Sequence, residues 1–343
     1  MAVTFGEYIK VEIYGASHAD RVGVRIDGLP EGRKIDTQKL RRFMERRAPG
    51  RNAWSTSRRE PDVPVFLSGV RGEDAASDRA GGSMLKTDGS TLEAVVYNTN
   101  VRSEDYANTA AVPRPAHADY PAWVKYGRIA PGGGPFSARM TAPLCIAGGI
   151  ALQWLEEMGI SIETHIRSIG NIEDAPFDSC TGGDPATAAP AEKDFPVIDD
   201  PKGEEMRALI AETKSAGDSV GGVIECRITG VPAGTGSPIF GSIESRICQT
   251  LYAVPAVKGI EFGNGFAAAE MKGSENNDPF CIEDGRVITE TNNHGGILGG
   301  LASGMPIVFR AAVKPTPSIA TEQDSVNLET MAETKLRIKG RHD

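Results

Sequence analysis

Pro131-Gly132-Gly133-Gly134-Pro135-Phe136-Ser137-Ala138-Arg139 is the stretch on which the reading of this chain turns. Residues 131–137 read as a glycine-rich turn, and a helix follows through about 158. Ser137 or Thr141 would cap that helix, because Pro143 fits only an early turn. Leu144, Ala147, Ala151, Trp154 and Leu155 would form its buried stripe. Strand patterns lie on both sides: 3–14, 22–26, 63–67 and 92–98 before the turn, and 220–231, 257–262 and 305–313 after it. Asp36 can cap a helix running to Arg47, with Leu40, Phe43 and Met44 on one face and Ala48-Pro49-Gly50 as its stop. Asp200 can cap another over 201–215, and 242–252 reads as a third. Residues 171–200, rich in Asp, Pro, Ala and Gly, read as a long loop excursion. Strands and helices mix without a regular βαβ alternation or a clean repeat, so the expected fold class is α+β.

The same turn has chemistry. Backbone N–H groups exposed by glycines before a helix attract a phosphate or carboxylate, and Arg139 adds positive charge. A tight structural turn is the plainer alternative, and the Gly-Lys-Ser/Thr end of a Walker loop is missing. Two histidines stand out beside it. His18 lies in Tyr14-Gly15-Ala16-Ser17-His18-Ala19-Asp20, and His117 in Arg114-Pro115-Ala116-His117-Ala118-Asp119-Tyr120. Only five histidines occur in 343 residues, and these two share a small-His-Ala-Asp frame without apolar periodicity. Imidazole titrates near neutrality, so the two are candidate proton carriers, against the blander alternative of surface or capping histidines.

Composition narrows the function classes. Hydrophobic content of 40% and charged content of 24% suit a soluble globular protein. No apolar run is long enough to span a membrane, and the first residues lack a secretory pattern, so a cytoplasmic location is expected. Five cysteines without a Cys-x-x-Cys point to reduced thiols and away from a zinc site; no metal is expected. Net charge is −9, yet residues 1–60 carry 13 Lys+Arg against 8 Asp+Glu and the remainder 24 against 38. An acidic chain is a poor nucleic-acid partner, whereas a local basic cluster suits a small, multiply anionic ligand. Arg41, Arg42, Arg46 and Arg47 can complement a helix C-terminus, but Arg51, Arg58 and Arg59 lie beyond it.

Three further segments carry weaker signals. Gly263-Asn264-Gly265-Phe266-Ala267-Ala268 imitates a dinucleotide fingerprint without a convincing helix or ribose-binding acid, and motivates an NAD(P)-linked oxidoreductase as one alternative. Residues 295–304 hold five glycines, which would let a backbone or a flat ligand approach closely. Lys314-Pro315-Thr316-Pro317-Ser318 offers a strand-end cation and two hydroxyls held by prolines.

Taken together these segments resemble the chorismate synthase family over nearly the whole chain. Eleven anchors occur in family order: Gly-x-Ser-His at 15–18, Arg46 to Gly50, Arg58 to Asp62, Arg102 to Tyr106, Arg114 to Tyr120, the glycines 132–134 with Ser137-Ala138-Arg139, Ala256 to Gly259, Gly263 to Phe266, Gly295 to Gly300, Lys314 to Ser318 and Gly340-Arg341-His342-Asp343. The resemblance implies a single domain over 1–343 with a β-α-β sandwich core, usually assembled as a homotetramer. It implies anti-1,4 elimination of phosphate from 5-enolpyruvylshikimate 3-phosphate, with reduced FMN as cofactor, NADPH as a candidate reductant and no net redox change. It puts His18 near the leaving phosphate, His117 near the flavin, and Asp343 in proton removal. Arg47, Arg114, Arg139 and Arg59 match substrate-binding positions. Pro135, Phe136, Ser137, Pro255, Ala256, Gly299, Lys314, Pro315, Thr316, Pro317, Ser318 and Arg341 match the FMN site. Several residues depart from the family pattern. Ala16 and Ala19 replace an acid and a glycine around Ser17-His18, Ala116 replaces a glycine before His117, and Ala53 replaces an arginine. Pro135 and Phe136 replace an arginine and a small hydroxyl residue, and the family continues past Arg-His-Asp where this sequence stops at Asp343. These departures motivate a second alternative, a catalytically impaired flavin- or anion-binding relative.

Overall fold

The computed structural model describes residues 2–50, 52, 54, 59–72, 83–100, 108–181 and 190–338. The chain divides into two compact units, one of Met1–Trp154 with Pro317–Asp343 and one of Leu155–Thr316. Every strand pairing among the described residues is antiparallel, and helices are interspersed with the strands, as the α+β reading expects.

The first unit holds strands β1 (Ala2–Phe5), β2 (Lys10–Gly15), β3 (Arg21–Asp27), β4 (Lys34–Asp36), β5 (Val65–Ser68), β6 (Val70–Arg71), β7 (Met84–Thr87) and β8 (Leu92–Tyr97). Five form a sheet in the order β1-β2-β3-β8-β5, and three a smaller sheet, β4-β7-β6. The single strand expected over 3–14 is instead a hairpin, because Gly6 takes φ +100 and breaks the extended run. In β3, Val22, Val24 and Ile26 are buried while Arg21, Arg25 and Asp27 point outward, the two-residue period of a half-buried strand. Its register sets Val22 opposite Val96, Val24 opposite Ala94 and Ile26 opposite Leu92, giving one apolar face. Helix α1 (Thr37–Arg47) starts where Asp36 accepts a bond from the Lys39 N–H at 2.9 Å, and buries Leu40 and Met44. Helix α2 (Asp119–Tyr126) begins immediately after His117-Ala118.

Helix α3 (Thr141–Glu157) completes this core with Ala142, Ile146 and Ile150, each buried isoleucine contributing about 1.5–3 kcal/mol. The stripe expected from periodicity is displaced: the buried positions are Ala142, Pro143, Ile146, Gly149, Ile150 and Gln153, and Ala151 is exposed. The helix is apolar around most of its circumference, so periodicity does not single out a face. Contacts with α1 and its cap decide it. A Cβ on Gly149 would lie 2.6 Å from Leu40 Cδ1, so glycine lets the helices close. The Gln153 amide spans Asp36, accepting from its N–H at 2.8 Å and donating to its carbonyl at 3.1 Å. Of the two proposed cap residues, Ser137 caps a short 3-10 turn, Ala138–Met140, that runs directly into α3. Thr141 is the first residue of α3, and its hydroxyl donates to the Ala138 carbonyl at 2.6 Å instead of capping.

The second unit contains β9 (Ser161–Ile169), β10 (Ile172–Glu173), β11 (Gly222–Thr229), β12 (Val257–Phe262), three strands of two to four residues at Phe280–Glu283, Arg286–Thr289 and Ile297–Leu298, then Leu301–Ala302 and Ile307–Val313. Its main sheet runs β10, β9, β11, the strand Ile307–Val313, then β12. Cys226, Ile297, Ala302, Ile307 and Phe309 form its core. The described parts of the 171–200 excursion, 171–181 and 190–200, are more ordered than a loop. Strand β10 pairs back on β9, Phe177, Phe195 and Val197 are buried, and Asp174 accepts the N–H groups of Ile198 at 2.6 Å and Asp199 at 2.9 Å. The following helix, α4 (Asp200–Ser215), is capped by Asp199 rather than Asp200, since Pro201 takes the first turn. The helix expected over 242–252 is α5 (Ile243–Leu251), with Ser242 as its cap. Returning to the first unit, a hairpin of Gln323–Asn327 and Ala332–Leu336 closes the described chain. No helix of the described residues is long and apolar enough to cross a membrane.

Replacing Gln153 with Ala should lower stability by about 1–3 kcal/mol, because the Asp36 backbone groups lose their buried partners. Urea unfolding monitored by circular dichroism would show this, and an unchanged midpoint would remove the amide from the account.

Candidate active site

The glycine-rich turn is the centre of the candidate site in the first unit. Gly132, Gly133 and Gly134 all take positive φ, at +60, +80 and +53. This left-handed run costs glycine little and an L-residue roughly 1–2 kcal/mol each. The turn also holds the two histidines on adjacent residues. A Cβ on Gly132 would collide with the His18 ring, and one on Gly133 would sit 3.1 Å from His117 Cε1 and Nε2. Ser17, 1% exposed, ties the first histidine down: its Oγ lies 3.0 Å from His18 Nδ1 and donates toward the Gly132 carbonyl at 3.2 Å, and its N–H donates to the Gly134 carbonyl at 3.2 Å.

His117 is held from the other side. Its Nδ1 lies 2.6 Å from Asp119 Oδ1. The Asp119 carboxylate also accepts from Arg114 Nε at 2.7 Å, Arg114 Nη2 at 2.9 Å and the Arg114 N–H at 3.0 Å. Burial pushes the Asp119 carboxyl up, but its hydrogen bonds and charge contacts with Arg114 and His117 outweigh burial and hold it well below the usual carboxylate range. Arg114, expected on the substrate, is buried, and its guanidinium donates to Asp119 and, at 3.2 Å, to Ser318 Oγ. Ala116 takes φ +57, which explains why a glycine suits that position.

A second cluster gathers two more predicted arginines. Asp62, 1% exposed, receives Arg47 on one carboxylate oxygen and Arg139 on the other. Arg139 also donates from Nε to Asn98 Oδ1 at 2.7 Å and lies 3.3 Å from Glu60 Oε2, while Glu60 accepts the N–H groups of Thr99 at 3.0 Å and Asn100 at 3.1 Å. Arg47 Nε reaches Thr141 Oγ1 at 3.3 Å. Asn98 Nδ2 donates to the carbonyl of Ala19 at 2.6 Å, beside His18, so this cluster adjoins the first histidine. Arg59 is exposed. Glu60, Asp62, Asn98 and Asp119 escaped the sequence reading as site residues. Glu60 and Asp62 stood inside the quoted Arg58 to Asp62 segment, and Asp119 two residues after a singled-out histidine; only the fold reveals what they hold.

The predicted cofactor positions divide between the units. In the first, Pro135 precedes the half-exposed Phe136, Ser137 caps the 3-10 turn, Pro317 accepts from Gln323 at 3.4 Å, and Ser318 is buried on Arg114. In the second, Ala256 follows Pro255 with φ +73, a left-handed alanine, and its carbonyl accepts the Lys314 N–H at 3.0 Å. Burial and the neighbouring Lys258 push the Lys314 ammonium below its usual range. Pro315 is exposed, Thr316 accepts from Ser219 Oγ at 2.8 Å, and Gly299 is open to solvent. Arg341 and Asp343 lie outside the described residues. The dinucleotide alternative loses its structural requirement: Gly265–Glu270 is a 3-10 turn, not an α-helix start, and Gly263 packs against the backbone of residues 293–295.

Two measurements follow from this geometry. Replacing Ala116 with Gly should leave stability unchanged or raise it by up to about 1 kcal/mol, strain relief offsetting unfolded-chain entropy; a clear loss in thermal unfolding would contradict the strain. Because the folded Asp119 carboxyl is depressed, its stabilisation is full above an unfolded value of about 3.9 and is lost as pH falls through the folded value. The stability gap between wild type and Asp119→Asn should therefore be constant near neutrality and shrink below about pH 4; a gap independent of pH would contradict the ion pair.

The chorismate synthase family model matches residues 9–343. A chorismate synthase of Lancefieldella parvula is 46% identical, over 100% of this chain and 90% of its own length. One of Thermococcus kodakarensis is 41% identical over 98% of this chain and 90% of its own length. A crystal structure of chorismate synthase superposes with a TM-score of 0.70 at 27% identity, covering 91% of this chain and 85% of that one. With two histidines meeting at one glycine turn beside paired arginines, and with matches of this extent, the chain belongs to the chorismate synthase family.

Proposed function

We propose that this lyase converts 5-enolpyruvylshikimate 3-phosphate to chorismate and phosphate at the site around residues 132–134, with reduced FMN as cofactor. Family membership makes it a carbon–oxygen lyase of aromatic biosynthesis. The observation that carries the site assignment is the convergence of His18 and His117 on Gly132 and Gly133, beside the Arg47–Asp62–Arg139 cluster.

The substrate brings one phosphate and two carboxylates, and guanidinium groups suit both. Arg47 and Arg139 are the candidate anion holders, their mutual repulsion screened by Asp62 between them. His18, fixed by Ser17, would give a proton to the departing phosphate oxygen and offset its developing charge. His117 would hold or deliver a proton at the flavin, and Asp343 would serve in substrate proton removal.

The residues present fit an anionic flavin. Burial first, and then the charge of the neighbouring Lys258, push the Lys314 ammonium below its usual range, and a phosphate would offset that concentration of positive charge. Within the second unit, Pro255, the strained Ala256, Gly299 and Lys314 to Thr316 are the candidate contacts that the resemblance implies. Reduced flavin, when bound, supplies electron density transiently and recovers it, so no net oxidation occurs. A cytoplasmic location, a homotetramer and NADPH as reductant belong to the same proposal. An apolar face on the hairpin 280–289, with Phe280 68%, Ile282 72% and Val287 61% exposed, supports self-association.

The test is anaerobic turnover with reduced FMN and substrate, reading phosphate and chorismate together. His18→Ala and His117→Ala should each slow turnover by roughly 10- to 10⁴-fold. Unchanged rates would remove them from the mechanism. FMN binding without any turnover by wild type would favour the impaired-relative alternative.

A further inference from the structure

We propose that Asp119 is a positioning residue for His117: it holds the proton on Nδ1 and leaves Nε2 as the atom His117 presents to the reacting groups. The proposal rests on the reading of His117 as a proton carrier.

Two groups compete for His117 Nδ1. Asp119 Oδ1 lies 2.6 Å away and Arg114 Nη2 3.2 Å away. An ionised carboxylate only accepts and a guanidinium only donates, so the two neighbours demand opposite protonation at that nitrogen. The carboxylate is nearer. Arg114 Nη2 has an alternative acceptor, Asp119 Oδ1 itself, at 2.9 Å. Nδ1 therefore carries the hydrogen and donates it, and Arg114 directs its own hydrogen to the carboxylate.

The carboxylate cannot swing away to release the ring. Asp119 is 2% exposed and bound three times by Arg114. Arg114 is itself anchored on Ser318. Asp119 is also the first residue of α2, where the helix dipole favours an anion. The left-handed backbone at Ala116 turns the chain so that the His117 ring reaches its neighbour two residues on. With Nδ1 occupied, Nε2 is the open nitrogen, and it faces Gly133. Because the same contacts keep Asp119 ionised, it orients the ring without taking its proton. Arg114 acts within this clasp, and its guanidinium serves His117 through Asp119.

The holoenzyme, labelled with ¹⁵N-histidine, provides the test by heteronuclear NMR at a pH where the imidazole is neutral. His117→Gln identifies the His117 signals by their disappearance. The expected result in wild type is the Nδ1–H tautomer at His117. Asp119→Asn should lose that preference and lower kcat by roughly 10²- to 10⁴-fold with little change in KM. Asp119→Glu should recover the Nδ1–H signature at least in part. An Nε2–H tautomer in wild type overturns the proposal, as does a folded Asp119→Asn enzyme with the wild-type tautomer and kcat. If Asp119→Asn does not fold, the wild-type tautomer alone decides. Wild-type turnover by His117→Gln would overturn the proton-carrier reading separately, since the tautomer measurement does not depend on activity.

Discussion

The candidate site depends on one backbone constraint, the left-handed run Gly132-Gly133-Gly134. Side chains there would force the histidine rings apart or out of the turn, because Gly132 abuts His18 and Gly133 abuts His117. Two segments separated by about a hundred residues thus meet on neighbouring peptides. The turn is carried directly into α3 through the Ser137 cap, and α3 is locked to α1 by Gly149 and Gln153. Packing of the first unit's core and placement of the imidazoles are therefore parts of one arrangement.

Buried acids organise the arginines around that turn. Asp62 bridges Arg47 and Arg139, Glu60 adds a second carboxylate, and Asp119 occupies Arg114. Desolvation makes such pairs weak contributors to stability, but removing one partner strands the other charge, so their geometry is stringent. The result is a set of cations whose spacing is fixed before any anionic ligand arrives, which lowers the reorganisation needed on binding.

Much of this was legible in the sequence. Period-two strands such as β3, the Asp36-capped helix and the glycine turn declare themselves through local chemistry. The histidines were visible because their frames were polar and alike. What escaped was set by tertiary contact. The face of α3 was misjudged because its apolar residues surround the helix, and a buried Gln153 reads locally as exposed. Gly6 split an apparently continuous strand, and Pro201 moved the α4 cap back to Asp199. Asp62, Glu60 and Asp119 stand inside quoted segments but have no role there until the fold brings arginines onto them. The dinucleotide-like glycines were correctly weak, since the segment after them forms a 3-10 turn.

The most direct measurement is anaerobic turnover of Gly132→Ala and Gly133→Ala, each first shown by circular dichroism to keep wild-type secondary structure. The account predicts that both folded variants lose roughly 10²-fold or more of kcat, as expected when an acid–base group is displaced. Wild-type kcat in either folded variant would contradict the claim that this turn sets the two histidines.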